Sequence, residues 1–126
     1  MSATPRRQIV LVVEDEALIR MVTVEIVELA GYDVIEAADA DEAVAILEAR
    51  SDVVLVVTDV DMPGSMDGLK LAHAVRDRWP PIKLLVVSGQ SRLTAAELPT
   101  DALFLGKPYS VDAITQVLAS VMQVER

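Results

Sequence analysis

Carboxylates stand in two tight groups along this chain, Glu14-Asp15-Glu16 and Asp59-Val60-Asp61, each at the end of an apolar run. A hydroxyl and a glycine, Ser88-Gly89, end a third such run, and Gly106-Lys107-Pro108 ends a fourth. Acids, a hydroxyl and an ammonium gathered in one place could bind a cation and handle a phosphoryl group. Like charges a few ångströms apart cost on the order of 1–4 kcal/mol per pair at a partly wet site. Glu14, Asp15 and Asp59 in one pocket must therefore take up protons or hold a cation. Oxygen ligands without His or Cys favour a hard ion, Mg²⁺ or Mn²⁺, which keeps several waters and shares its coordination sphere with phosphate. A carboxylate such as Asp59 can attack phosphorus and form an acyl phosphate if the charge on the transferring oxygens is neutralised. The cation would hold one oxygen, Lys107 another, and the Ser88 hydroxyl would donate to the remaining one. Taken singly, each feature has an ordinary reading: an acidic loop caps a helix, Ser-Gly makes a turn, and a lysine is a solvated charge. Their recurrence at successive strand ends argues for a site.

The elements that must position these groups alternate. Ile9–Val13, Val53–Val57 and Ile82–Val87 are almost wholly apolar, as expected for strands of a parallel sheet covered on both faces. Asp33–Ala37 and Ala102–Leu105 complete a set of five. Leu18, Met21, Val22, Ile26 and Leu29 recur at helical spacing, with Gly31 as a stop. Asp39 and Glu42 form an acidic capping pair before Ala43, Val44 and Leu47. Asp67 caps a helix carrying Leu71 and Val75, which Pro80-Pro81 ends. Ser110 starts the last helix, with Val111, Ile114, Leu118 and Val121 on one face. Between the fourth and fifth strands only Leu93–Leu98 can be helical before Pro99, so that helix is expected to be short and mobile.

This order predicts an α/β fold: a flavodoxin-like, doubly wound, five-stranded parallel sheet of order 2-1-3-4-5 with about five helices, the fourth short. The functional crevice of such a sheet lies at the carboxyl ends of its strands. All but the second strand, which ends in Glu36-Ala37-Ala38 at the sheet's edge, bring reactive groups there.

Composition narrows the function. The 126 residues amount to one domain, and 52% hydrophobic with 3% aromatic content means an aliphatic core. Twenty acidic residues against eleven basic ones give a net charge of −9, which repels a nucleic-acid backbone. The absence of cysteine excludes disulfides and thiolate metal sites and fits a cytoplasmic location. The apolar run after Arg6 and Arg7 is too short for a signal core or a membrane span. The expected layout is a tail over 1–7 and one domain over 8–124, with no output domain.

At this point the residues resemble the receiver domain of two-component response regulators. The segments IVLVVEDE, VVTDVDMPGSMDG, LLVVSG and FLGKP carry the resemblance in order, from about Gln8 to Val121. By position it implies that Asp59 is the phosphoacceptor, Asp15 a direct metal ligand, and Glu14 a ligand acting through water. The backbone carbonyl of Asp61 would also face the ion. Ser88 matches the switch hydroxyl, Phe104 the switch aromatic, and Lys107 the lysine of the site, aimed inward by a cis bond to Pro108. Asp61 and Gln90 match positions that tune dephosphorylation.

The partner implied is a sensor histidine kinase or a histidine phosphotransfer protein, docking on Ile19, Val22 and Thr23 with Pro108 and Tyr109. Val27 is read as lying on the outer side of its helix, where it would widen that patch. Output would be binding of an unidentified protein target, relay, or a phosphate sink. Such a domain catalyses its own phosphotransfer and dephosphorylation and is otherwise no enzyme. Two departures from the family pattern bear on the output surface: Ser65 lengthens the loop after Asp59, and the interval from Ser88 to Lys107 is short.

The rival from the enzyme class is a haloacid-dehalogenase-like phosphatase, since Asp59-Val60-Asp61 matches its D-x-D. That motif belongs on a first strand with a later acidic pair, whereas here it ends the third strand and the fifth brings only Lys107. A dinucleotide site fails because Glu14-Asp15-Glu16 stands where a glycine-rich loop is required. His73, mid-helix with no ligand partner a turn away, and Trp79 read as structural.

Overall fold

The computed structural model describes residues 8–61, 67–89, 95–107 and 109–122. The expected positions Ser65, Gln90 and Pro108, and with Pro108 its peptide bond, lie outside them. Five strands alternate with helices: β1 Ile9–Val13, α1 Ala17–Leu29, β2 Asp33–Ala37, α2 Ala40–Ala49, β3 Val53–Asp59, α3 Gly68–Arg78, β4 Lys83–Ser88, β5 Leu103–Gly106 and α4 Val111–Met122. The strands pair in parallel in the order β2-β1-β3-β4-β5. Among the described residues no helix is long and apolar enough to cross a membrane.

The continuous apolar runs are explained by two cores. Leu11, Val13, Val56, Leu84 and Val86 face α2 and α3, whereas Val10, Val12, Leu55, Val57, Leu85 and Val87 face α1 and α4. Successive strand residues point to opposite faces and both faces are covered, so the middle of each central strand is apolar. The polar residues of β3 and β4, Thr58, Asp59, Lys83 and Ser88, stand at the strand ends.

The caps fall where the polar residues stand. Asp39 accepts from the Glu42 amide at 2.8 Å, and Asp67 from the Lys70 amide at 2.8 Å. The Glu42 carboxylate reaches back to the Ala38 amide at 2.6 Å, one residue earlier than a regular capping box. Ser110 accepts from the Ala113 amide at 3.0 Å. Gly31, at φ +105°, provides the left-handed turn that ends α1.

Three expectations need correction. Between β4 and β5 the described residues hold a single 3₁₀ turn, Ala95–Glu97, so four α-helices are present among them, not about five. The phase of α1 is rotated: Thr23, Ile26 and Val27 are buried, while Leu18, Met21, Val22 and Leu29 are exposed, Leu18 and Leu29 by 73% and 81%. Val27, expected on the outer side, is 0% exposed in the core. On α4, Ile114 and Leu118 are buried but Val111 is exposed.

His73 is exposed and its Nε2 lies 2.7 Å from the Glu97 carbonyl. Trp79 packs against the core under the Arg78 guanidinium.

Candidate functional site

Register brings the reactive groups level. Val13 pairs with Thr58, Asp59 with Val87, and Ser88 with Gly106. The residue following each pairing therefore arrives at the same end of the sheet. Backbone bonds continue past the strands, with the Val60 amide on the Val87 carbonyl at 2.9 Å and the Lys107 amide on the Ser88 carbonyl at 2.8 Å.

Asp59 is buried at the carboxyl end of the central strand, β3. Its Oδ2 accepts from Lys107 Nζ at 3.0 Å, and its Oδ1 from the Asp61 amide at 3.1 Å. Lys107 Nζ also donates to Glu14 Oε1 at 3.0 Å. The other Glu14 oxygen accepts from the Glu16 amide at 3.1 Å. Asp15 is exposed at the mouth, yet one oxygen each from Glu14, Asp15 and Asp59 lies within 4.8 Å of the others. A cleft of about 320 Å³ opens here, bounded by Asp15, Asp59, Asp61 and Lys107.

The electrostatics match this crowding. Burial pushes the Glu14 carboxyl from 4.5 up to about 6, against the opposing pull of its hydrogen bonds to Lys107 and Glu16; the charge of Asp59 adds to the rise. Burial also works against the Lys107 ammonium, but its hydrogen bonds and charge pairing with Glu14 and Asp59 outweigh it and hold the pKa above the ordinary value. The acids Glu14, Asp15, Asp59 and Asp61 outnumber this one ammonium. An all-oxygen donor set with excess negative charge fits a hard divalent cation.

Ser88 is buried, and its hydroxyl donates to Asp61 Oδ2 at 3.1 Å. Phe104 pairs with Val86 in the sheet and is 40% exposed, so it is not a core aromatic. Of the docking residues, Ile19 is half-buried and Val22 half-exposed. Thr23 is buried, its Oγ1 2.7 Å from the Tyr109 hydroxyl. An apolar cleft of about 580 Å³ between Leu18, Val22 and Tyr109 runs down to Lys107.

Two supports were not read from the sequence. Gly68, the first residue of α3, lies so close to the end of β3 that a Cβ there would overlap the Asp59 carbonyl. Its place in the MDG segment was visible, but nothing in the spacing gave this contact. Arg20 braces the other side: Nη1 donates to the Glu14 carbonyl at 2.7 Å and Nε to Glu36 at 3.1 Å. A basic residue one helical turn after the acidic group was the only available signal.

Comparison with known proteins agrees with this geometry. Residues 10–119 match the family described as response regulator receiver domain. The chain is 40% identical over 118 residues to the sensor kinase CckA of Brucella abortus, covering 90% of this chain and 12% of that protein. It is 39% identical over 113 residues to the transcriptional regulatory protein PdtaR of Mycobacterium tuberculosis, covering 87% of this chain and 53% of that one. The chain thus spans about half or less of these relatives. Among solved structures, the receiver domain of NtrX from Brucella abortus superposes with a TM-score of 0.83 at 28% identity, covering 92% of this chain and 99% of that one.

Proposed function

Because this chain belongs to the response regulator receiver domain family, we propose that it is a phosphoacceptor switch in which Asp59 takes a phosphoryl group from phosphohistidine. The observation that carries the reading is the meeting of Glu14, Asp15 and Lys107 around the buried Asp59 carboxylate.

In the reaction an Asp59 oxygen attacks phosphorus, the P–N bond to imidazole breaks, and an acyl phosphate forms while the imidazole leaves with the bonding pair. Lys107 exchanges one of its carboxylate partners for a phosphoryl oxygen, and the Ser88 hydroxyl donates to another. Glu14, Asp15, Asp59 and the Asp61 carbonyl would hold a divalent cation such as Mg²⁺. When bound, it neutralises charge on the transferring oxygens. Phe104 responds to the movement of Ser88.

Ile19 and Val22, with Pro108 and Tyr109, form the docking ground for a histidine kinase or phosphotransfer protein, while Thr23, expected there too, is buried and supports Tyr109 from beneath. The apolar cleft leading to Lys107 supports this part of the reading. Output follows as a population shift toward a state that binds a protein target or relays the group. Incubation with a phosphorylated histidine phosphotransfer protein tests the proposal. Wild type should gain the phosphoryl group and Asp59→Asn should not; equal transfer to both would remove Asp59 from the mechanism.

A further inference from the structure

The Asp61 side chain has a bonding pattern that phosphoryl transfer does not use. Its Oδ2 accepts from the Ser88 hydroxyl at 3.1 Å and from the Gly89 amide at 3.4 Å. Its own amide donates to Asp59 Oδ1 at 3.1 Å. One carboxylate therefore ties the exits of β3 and β4 together beside Asp59. Ser88 is 3% exposed, so bulk water offers its hydroxyl little alternative. A serine hydroxyl has a single proton to donate. While that proton goes to Asp61, it cannot go to a phosphoryl oxygen on Asp59.

We infer that Asp61 is a positioning residue that latches Ser88 in the unphosphorylated state, so that switching exchanges Asp61 Oδ2 for a phosphoryl oxygen as acceptor of the Ser88 proton. The inference rests on the reading of Asp59 as phosphoacceptor. Hydrogen bonds to ionised acceptors are the strong ones, so a carboxylate oxygen is a competitor for the Ser88 proton that a phosphoryl oxygen must displace. A ligand moves such an equilibrium only by its difference in affinity for the two arrangements, so the latch sets how strongly the phosphoryl group must hold Ser88.

The test is a double-mutant cycle read by binding of beryllofluoride with Mg²⁺, a non-covalent phosphoryl mimic. With Ser88 present, Asp61→Ala should tighten binding about tenfold. On a Ser88→Ala background the same change should alter binding by less than about twofold. Equal effects in both backgrounds would assign the role to charge alone and overturn the latch; so would no effect in either. Failure of the wild type to bind beryllofluoride would instead refute the Asp59 reading and the switch role with it. A second readout needs neither metal nor mimic: amide exchange at Gly89 should quicken in Asp61→Ala and stay slow in Asp61→Asn, which keeps an acceptor oxygen. Unchanged exchange in Asp61→Ala would overturn the latch whatever the phosphoryl chemistry.

Discussion

Lys107 Nζ stands 3.0 Å from Asp59 Oδ2 although 48 positions separate the two residues. The same nitrogen reaches Glu14, so one ammonium answers acids from both β1 and β3. Lys107→Ala leaves the oxygen ligands in place, so metal binding should persist. Removing one charged donor should slow phosphoryl uptake from acetyl phosphate about 100-fold. It should also abolish the conformational response. A variant that labels at the wild-type rate and responds fully would contradict the role given to Lys107.

The elevated Glu14 pKa makes stability depend on pH in metal-free protein. Its folded value of about 6 lies above the ordinary 4.5, so the native state holds the proton more tightly than the unfolded chain. The contribution is complete below pH 4.5 and is lost as pH rises through about 6. Melting temperatures of wild type should therefore fall relative to Glu14→Gln across that window. Mg²⁺ should raise the melting temperature by linkage, more at pH 7 than at pH 5, because protons no longer compete for the site. Parallel pH curves for the two proteins would count against this assignment.

Gly68 and Gly31 separate backbone support of the site from ordinary chain geometry. Gly68→Ala forces a methyl into the Asp59 carbonyl. The substitution should destabilise by about 1–3 kcal/mol and depress phosphoryl uptake by displacing Asp59. Gly31 has open space around it but a φ of +105°, so Gly31→Ala should lower stability by about 1 kcal/mol and leave uptake unchanged. Denaturant melts and acetyl phosphate labelling of both variants check this. Normal uptake in Gly68→Ala would refute the positioning role.

The exposed face of α1 should matter to a protein donor and not to a small one. Leu18→Asp and Val22→Asp alter exposed residues, so stability should change by less than about 0.5 kcal/mol. Labelling by acetyl phosphate should stay within about twofold, while transfer from a phosphorylated histidine protein should slow about tenfold. Equal loss with both donors would place the effect in the site itself rather than in docking.

The strands and the acid cluster were legible because a parallel sheet covered on both faces demands unbroken apolar runs, and polar residues can begin only where the runs stop. The bounds of β1 and β2 match expectation, and β3 runs on to Asp59 itself. The phase of α1 was not legible. That helix carries apolar residues on two faces that share Ile26, so periodicity alone admits either rotation. The choice turns on Thr23, whose burial is compatible with a polar side chain because the Tyr109 hydroxyl, 86 positions away, meets it. The Glu14–Lys107 pair spans 93 positions and the contact of Gly68 with Asp59 depends on how α3 enters. Neither leaves a periodic mark. Between β4 and β5, Pro99 correctly signalled a stop, but three residues before it form only a 3₁₀ turn among the described residues.

Intact-mass spectrometry after treatment with acetyl phosphate and Mg²⁺ tests phosphoryl transfer to the buried carboxylate most directly. Wild type should gain the mass of one phosphoryl group, located by fragmentation to Asp59, and lose it on addition of hydroxylamine as an acyl phosphate does. Asp59→Asn, and wild type stripped of divalent cations, should gain none. A stable adduct on any other residue, or equal labelling of Asp59→Asn, would contradict the account.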